Sequence, residues 1–262
     1  MKLLVTVLLL VGTASAARNG LDFIQSVSVA TFTCLKNNDI SFVIPRIFTS
    51  VGTLDNTGIN NLESPRSMAT SSLASLLTAH PLPPKSRQPF VIPRIFTSVG
   101  TLDNTGINNV KNARAAGIAD TDGYLFPCLA SHCPSAANQV KETVEALKNH
   151  GTHVNTLWLD IERLAWPANH ASNRAFIEAM VKEAEALKQT VGIYSNYYNW
   201  QDIVGLDYTG LSSLPLWWAE YDGEKDFGKY KEFGGWKQPK IHQWHGTETG
   251  PCGVSVDLNY IP

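Results

Sequence analysis

The stretch N-T-L-W-L-D-I-E, residues 155–162, decides the fold of this chain. Its aliphatic residues alternate with Trp158, Asp160 and Glu162, which is the two-residue period of a β-strand. One face of the strand is therefore aliphatic, and the other face ends in two carboxylates. Such acids are typical of the C-terminal mouth of an α/β barrel, where strand ends supply reactive groups to a cleft. The alternative is a chance pair of exposed acids, so the flanking chain has to decide.

Two carboxylates at close range can be pushed to different pKa values, so that one is protonated while the other stays charged. Glycoside hydrolysis uses such a pair. Asp160 and Glu162 are therefore candidate catalytic residues. Residues i and i+2 of a strand lie roughly 6.5–7 Å apart, whereas a direct nucleophile needs about 5–5.5 Å between carboxyl groups and inversion roughly 6.5–9.5 Å. Because side chains lean, this spacing leaves the stereochemical route open.

The N-terminus predicts export. Residues 1–16 combine Lys2, an apolar run and an A-S-A cleavage site, as a signal peptide does, and the run is too short to cross a bilayer. We expect a secreted protein of residues 17–262, in the extracellular space or a gut lumen, with no membrane partner. Loss of Lys2 changes the formal charge from −2 to −3. This balance argues against a nucleic-acid partner, and an anionic polymer would have to be held by local contacts.

Residues 42–61 and 90–109 are identical at all twenty positions. Structural repeats diverge and run to three or more copies, so this identity indicates a recent duplication or a gene-model artefact. Residues 62–89 between them are rich in Ser, Pro, Ala and Thr, which predicts disorder. We expect only one copy to occupy the second barrel strand, and we predict that it is residues 90–97. The insert would then hang from the N-terminal rim, where a long loop is tolerated.

Strand and helix patterns alternate along the rest of the chain. Further strands are predicted at residues 20–24, 123–128, 191–197, 214–221, 240–244 and 254–259, and helices at residues 29–37, 110–116, 135–150 and 172–188. Ser135 and Ser172 are the expected N-caps of the last two helices. Full helices are missing between the later strands. This order predicts an α/β fold, a modified (incomplete) TIM-type β/α barrel, as one catalytic domain.

The first and last strands each carry another acid. In V-S-V-D-L-N, residues 254–259, Asp257 lies on the face opposite the aliphatic residues. A barrel closes by pairing its first strand with its last, so Asp22 should neighbour Asp257. Three separate strands would then direct acids into one cavity. Because unpaired buried charge is costly, this cluster indicates a function.

At this point the chain resembles the lysozymes of glycoside hydrolase family 25, the Chalaropsis type, and more closely their invertebrate, nematode-like branch. The resemblance covers residues 20–261 apart from the duplicated excess. The motifs that carry it are G-L-D-F, L-W-L-D-I-E, V-G-I-Y-S-N-Y, P-L-W-W-A-E-Y, I-H-Q-W and V-D-L-N. Together these motifs are specific, whereas D-x-E alone is not.

The resemblance implies cleavage of the β-1,4 bond between N-acetylmuramic acid and N-acetylglucosamine in peptidoglycan, by a monomer without metal or organic cofactor. It places the general acid on Glu162, with Asp160 supporting the reacting centre and Asp22 and Asp257 completing the acidic cluster. It also suggests that the substrate's 2-acetamido group acts as nucleophile. The sequence departs from the family at residues 23–25, which leaves the contacts of the first strand open.

Aromatic side chains are the expected sugar platform, because flat rings stack on apolar sugar faces. The predicted substrate-binding residues are Arg94, Tyr124, Phe126, Tyr194, Tyr221 and Trp244. The assignment of Arg94 depends on the duplication, because the duplication interrupts the strand that carries Arg46 or Arg94. Ordinary barrel packing is the alternative for each aromatic ring. His242 and His245 are expected to be core or surface histidines and not ligands.

Two other functions stay open. A family 18 chitinase-like enzyme also has a barrel strand ending in D-x-E, but its longer signature needs an Asp where Trp158 stands. A secreted sugar-binding or immune protein with an inactive cleft is the second alternative. Activity on chitin but not on bacterial walls would favour the first. Retention of all four acids argues against the second.

Four cysteines in an exported protein suggest two disulfides, with three possible connectivities. No C-x-x-C pair occurs, which argues against a zinc site. Cys128 and Cys133 both fall at the C-terminal mouth of the predicted barrel, and Cys34 and Cys252 both fall near the opposite rim. We therefore predict the pairs Cys128–Cys133 and Cys34–Cys252.

Overall fold

The computed structural model describes residues 18–22, 26–37, 42–44, 90–249 and 251–262. The predicted signal peptide, residues 23–25, Arg46 and the insert at residues 62–89 lie outside the described residues. In the part of the chain that the structure describes, no helix has both the length and the apolar character needed to cross a membrane.

The described chain forms one mixed sheet with helices packed around it. The strands are β1 Arg18–Asp22, β2 Phe42–Ile44, β3 Phe90–Val91, β4 Arg94–Phe96, β5 Asp120–Thr121, β6 Gly123–Leu125, β7 Thr156–Asp160, β8 Thr190–Ser195, β9 Leu216–Ala219, β10 Ile241–Thr249 and β11 Ser255–Ile261. The helices are α1 Val29–Asn37, α2 Asn104–Ala115, α3 Ala136–Asn149, α4 His170–Ala186 and α5 Tyr197–Ile203, and a short 3-10 turn covers Pro251–Gly253.

The sheet curls into a ring. Its order is β4-β6-β7-β8-β9-β10-β11-β1-β2-β3-β5. One end of this order is the pair β4–β6 and the other end is the pair β3–β5. Strand β3 continues into β4 and β5 continues into β6, so the same two chain segments form both ends and close the ring. Most pairs are parallel, and β11 is antiparallel to both β10 and β1. The fold is therefore the predicted incomplete TIM-type β/α barrel.

Both copies of the duplicated segment enter the sheet, and the prediction that residues 90–97 form the second barrel strand is wrong. β2, from the first copy, lies between β1 and β3, and Val43 pairs with Val91, its equivalent in the second copy. The two copies thus pair in register through their backbones. The second copy leads directly into α2, as predicted, but it is the third strand of the ring and not the second.

Helix α2 begins six residues before the predicted start. Asp103 is its N-cap, and its Oδ1 accepts hydrogen bonds from the backbone N–H groups of Thr105 and Gly106. Gly106 weakens the helical pattern in the sequence, but its position requires a glycine. A Cβ there would lie 1.6 Å from the carbonyl oxygen of Arg94, so the missing side chain lets α2 pack directly on β4.

Two further helix starts can be compared with the sequence. Ser135 caps α3 as predicted, with its Oγ accepting from the N–H of Asn138. Helix α4, however, begins at His170 with Asn169 as its cap, and the predicted cap Ser172 is the donor to Asn169 Oδ1. Asn and Ser are both favourable N-cap residues, and Asn169 precedes Ser172 in the sequence.

The two faces of β7 point into different cores, as the alternation predicted. Leu157, Leu159 and Ile161 face the outer helices, in a cluster that includes Val140, Leu147, Ile177 and Met180. Trp158 faces the inside of the ring. The interior cluster consists of Phe90, Ile92, Tyr124, Trp158, Tyr194, Trp217, Ala219 and Ile241. Asp160 follows Trp158 on this inner face, at the mouth formed by the C-terminal ends of the parallel strands.

Both predicted disulfides are present. Cys128 is bonded to Cys133 and Cys34 to Cys252, with Cα–Cα distances of 5.7 Å and 6.3 Å. The second bond joins α1 to the turn before β11, next to the pairing of β1 with β11 that closes the barrel. Both pairings are as predicted, but Cys252 does not lie near the rim opposite the mouth. Because β11 runs antiparallel to β1 and its first residues pair with the end of β10, the turn before β11 lies at the mouth end of the sheet.

Candidate active site

Asp160 is the last residue of β7, and its side chain is only 6% exposed. Glu162 follows two residues later, half-buried at the mouth. The strand pairs with β8 so that Asp160 lies opposite Tyr194. The first carboxyl group is therefore buried at the end of the strand, and the second belongs to the more accessible chain that follows it.

The backbone around Glu162 is fixed by three neighbouring side chains. Ser195 donates to the carbonyl oxygen of Ile161 at 2.7 Å, and Trp166 Nε1 donates to the carbonyl oxygen of Glu162 itself at 3.0 Å. Asn199 Oδ1 accepts from the N–H of Arg163 at 3.1 Å and also from its Nε at 3.2 Å. Residues 161, 162 and 163 are thus each held by a partner outside β7. Sequence reasoning identified the acid but missed these partners.

Asp257 lies on β11 and is 3% exposed. The pairing of β1 with β11 places Asp22 directly opposite Asp257, as predicted. Gln243 Nε2 donates to Asp257 Oδ2 at 3.4 Å, and Gln243 Oε1 accepts from the hydroxyl groups of Tyr194 at 2.8 Å and Tyr221 at 3.1 Å. One glutamine therefore connects an acid of the last strand to two predicted sugar-binding tyrosines.

The floor of the mouth is aromatic. The ring of Trp217 contacts three others, with centroid distances of 4.6 Å to Tyr194, 5.9 Å to Trp158 and 6.3 Å to Tyr124. The indole N–H of Trp217 donates to Asn259 Oδ1 at 3.0 Å. The polar tips of these rings are thus held by partners while the rings fill the interior.

Asp122 supports this floor and was missed in the sequence, where T-D-G resembles a loop. Its Oδ2 accepts from Trp158 Nε1, and its Oδ1 accepts from the N–H of Thr156, both at 2.8 Å. The carboxyl is almost fully buried, and this burial raises the pKa of Asp122 to about 7. Asp122 therefore fixes the first half of the strand that ends in Asp160.

The three remaining predicted substrate-binding residues are Arg94, Phe126 and Trp244. Arg94 is 2% exposed, and its guanidinium binds Asp103 Oδ2 through Nε at 3.0 Å and Nη2 at 2.9 Å. This ion pair gives Arg94 a structural role, joining β4 to the cap of α2. Phe126 is half-buried beyond β6. Trp244 follows Gln243 and lies under the ammonium group of Lys225, 5.0 Å from its ring centroid.

His242 is a core histidine, as predicted. It is fully buried, stacks on Trp218 at 4.0 Å, and its two ring nitrogens contact the carbonyl oxygens of Asp226 and Glu220. Among the described residues, the one group of His, Cys and acid side chains close enough to hold a metal ion is Cys128, His132 and Cys133. Two of these three are joined in a disulfide, so their sulfurs are not available as thiolate ligands.

Comparisons with known proteins agree with this architecture. A family model described as "Lysozyme-like protein 1" matches residues 84–244. Lysozyme-like protein 5 of Caenorhabditis elegans is 55% identical over 258 residues, which cover 98% of each chain. The probable GH family 25 lysozyme 2 of Dictyostelium discoideum is 36% identical over 247 residues, covering 94% of this chain and 92% of that one.

The fold also matches a solved structure. The family GH25 lysozyme from Aspergillus fumigatus superposes with a TM-score of 0.60 over 94% of each chain, at 18% identity. This likeness concerns the barrel, whereas the sequence relatives extend over nearly the whole chain. With the four acids placed at or beside the barrel mouth, these matches show that the chain belongs to the lysozyme-like proteins of glycoside hydrolase family 25.

Proposed function

We propose that this protein is a secreted lysozyme, an N-acetylmuramidase that hydrolyses the β-1,4 bond between N-acetylmuramic acid and N-acetylglucosamine of peptidoglycan, in defence against bacteria or in their digestion. The observation that carries the proposal is the arrangement of acids at the mouth. Asp160 ends the buried strand β7, Glu162 follows two residues later, and Asp257 lies opposite Asp22 at the barrel closure. The names of the sequence relatives support the same activity.

Glu162 is the proposed general acid. It lies at the accessible edge of the mouth, where it can reach the glycosidic oxygen, and its backbone is held on three sides. Fixed orientation matters because proton transfer requires the acid within hydrogen-bond reach of the leaving oxygen. Asp160, deeper and beside Tyr194, is proposed to stabilise the positive charge that develops on the sugar ring.

The substrate's 2-acetamido group is the proposed nucleophile, with Asp160 orienting it. A buried carboxylate can hold the amide N–H and so direct the carbonyl oxygen to the anomeric carbon. Gln243 and the two tyrosines bound to it supply polar groups around the same sugar. Phe126 and Trp244 remain predicted sugar contacts, and export remains a prediction from residues 1–16.

The direct test is Glu162→Gln, which keeps the shape of the side chain but cannot donate the proton. We expect the activity on wall suspensions to fall by on the order of 10²–10⁴-fold. The measurement is clearing of a bacterial wall suspension together with release of muropeptides by the purified proteins. Glu142→Gln, the same change at an exposed position of α3, is the matched control and should retain full activity.

Two outcomes would contradict the proposal. If Glu162→Gln keeps more than about a tenth of the wild-type rate, the acid lies elsewhere. If the wild-type protein releases products from chitin but none from bacterial walls, the chitinase-like alternative holds. Asp160→Asn should also be severe, whereas Asp22→Asn and Asp257→Asn should cost less.

A further inference from the structure

The exposed apolar side chains of the described residues are concentrated around the mouth. The large ones are Val29, Val99, Leu164, Tyr198 and Tyr221. All except Val29 lie in the chain that directly follows a barrel strand, after β4, β7, β8 and β9 respectively. Tyr198, at 58% exposed, is the most accessible of them. An apolar rim of this kind is a candidate binding surface.

A lysine lies on this rim directly above an aromatic ring. The Nζ atom of Lys231 is 3.6 Å from the ring centroid of Tyr197, and Tyr197 and Tyr198 meet edge to face at 5.4 Å. Within the described structure no carboxylate is within ion-pairing distance of Lys231, although Lys229 and Lys237 of the same segment each have one nearby. The ring therefore holds an ammonium group whose charge is available to a ligand.

This pair is next to the loop of Glu162. Arg163 binds Asn199 and, at 3.0 Å, Asp202, so the chain after β7 is fastened to α5. Tyr197 is the first residue of α5. The exposed ring of Tyr198 thus belongs to the helix that holds the chain after the proposed general acid, and Lys231 lies against the first residue of that helix.

The proposed substrate has the chemistry that such a surface recognises. Peptidoglycan combines flat sugar faces with carboxylates on its stem peptides and, where no peptide is attached, on its lactyl groups. The chain is itself slightly acidic, so long-range attraction cannot hold this anionic polymer. We propose that Lys231, Tyr197 and Tyr198 form an accessory subsite that binds a carboxylate-bearing part of the glycan strand beside the cleavage point. This inference rests on the proposed function.

The test measures binding without cleavage. Glu162→Gln protein is pelleted with bacterial sacculi from which teichoic acids have been removed, so carboxylates are the remaining anions. Adding Lys231→Ala should weaken binding by about two- to five-fold, as for an exposed ion pair. Adding Tyr198→Ala should weaken it by a similar or larger factor, through loss of stacking. Lys237→Ala, which removes an exposed lysine paired with Glu232, is the matched control and should change nothing.

Chemical neutralisation of the carboxylates of the sacculi tests whether Lys231 binds a carboxylate. Converting their carboxylates to amides should weaken binding of the Glu162→Gln parent to the level of its Lys231→Ala derivative, and should leave that derivative unchanged. An amidase that hydrolyses the amide bond between the lactyl group and the stem peptide removes the peptide carboxylates and frees a lactyl carboxylate in their place. Loss of the Lys231 effect on such sacculi assigns the stem-peptide carboxylates, and a persisting effect shows that the subsite accepts a lactyl carboxylate.

The proposal is overturned if amidation weakens both proteins equally, or if the Lys231 and Lys237 variants bind alike. Failure of the proposed function would look different. In that case the protein with Glu162 intact would release no muropeptides, whatever the binding of these variants.

Discussion

At the scale of single residues, the site depends on polar atoms that hold aromatic rings in place. Trp158 is bound by Asp122, Trp217 by Asn259 and Tyr194 by Gln243. Each partner belongs to a different strand segment from its ring. A ring with a fixed tip cannot rotate into the cavity, and the acids above it keep a defined floor.

Asp122 makes the stability of the protein depend on pH. Its pKa is about 7 in the folded chain, against an ordinary value of 3.8. Between these values the folded state binds one proton more than the unfolded state, so the free energy of unfolding decreases as pH rises from about 4 to about 7. The slope from this group approaches about 1.4 kcal/mol per pH unit.

Asp122→Asn should remove this slope, whatever its effect on stability at a single pH. The measurement is urea unfolding of wild type and variant across pH 4–8. Glu185→Gln, an exposed acid on α4, should leave the slope as it is in the wild type. Equal slopes in the wild type and Asp122→Asn would show that the carboxyl is already ionised in this range.

At the scale of elements, α5 serves as a clamp on the catalytic loop. Asn199 accepts from both the backbone and the side chain of Arg163, one residue after Glu162. Asn199→Ala should release the loop and lower kcat by about ten-fold, since small displacements of a reacting group are costly. KM should change little, because none of the proposed sugar contacts is made by the side chain of Asn199.

The clamp can be separated from a general loss of stability. Asn199→Asp keeps the acceptor oxygen and can pair with Arg163, so it should recover most of kcat. Rates are compared well below the melting temperature of each variant. A rise in KM without a fall in kcat, or an Asp variant as impaired as the Ala variant, would exclude a positioning role.

The sequence predicted those elements whose signals are local, and it failed where partners are distant. The alternating face of β7 and the cap Ser135 follow from short patterns in the sequence. Asp122, Ser195 and Asn199 act on residues more than thirty positions away, and nothing near them in the chain marks that contact. Strand β2 was not predicted, because the second barrel strand was assigned to residues 90–97 alone, whereas the sheet contains a strand from each copy of the duplicated segment.

At the scale of the whole molecule, the barrel depends on its closure between β11 and β1. Asp22 and Asp257 are paired positions of this closure. The same strand pairing therefore closes the barrel and positions two acids of the proposed site. The bond between Cys34 and Cys252 fastens the same region and spans 218 positions, whereas Cys128–Cys133 spans 5. The two bonds therefore constrain very different lengths of unfolded chain.

Removal of the two disulfides should consequently have unequal effects. In the chain-entropy description the long crosslink stabilises the fold by on the order of 5 kcal/mol and the short one by about 2 kcal/mol. Chemical denaturation of Cys34→Ser/Cys252→Ser should thus show the larger loss, with Cys128→Ser/Cys133→Ser as the matched comparison. The first variant opens the seam that carries Asp257, so its activity should decline at lower denaturant than its global unfolding. If the two double variants lose equal stability, closure is held by the β1–β11 ladder alone and the long crosslink adds nothing to it.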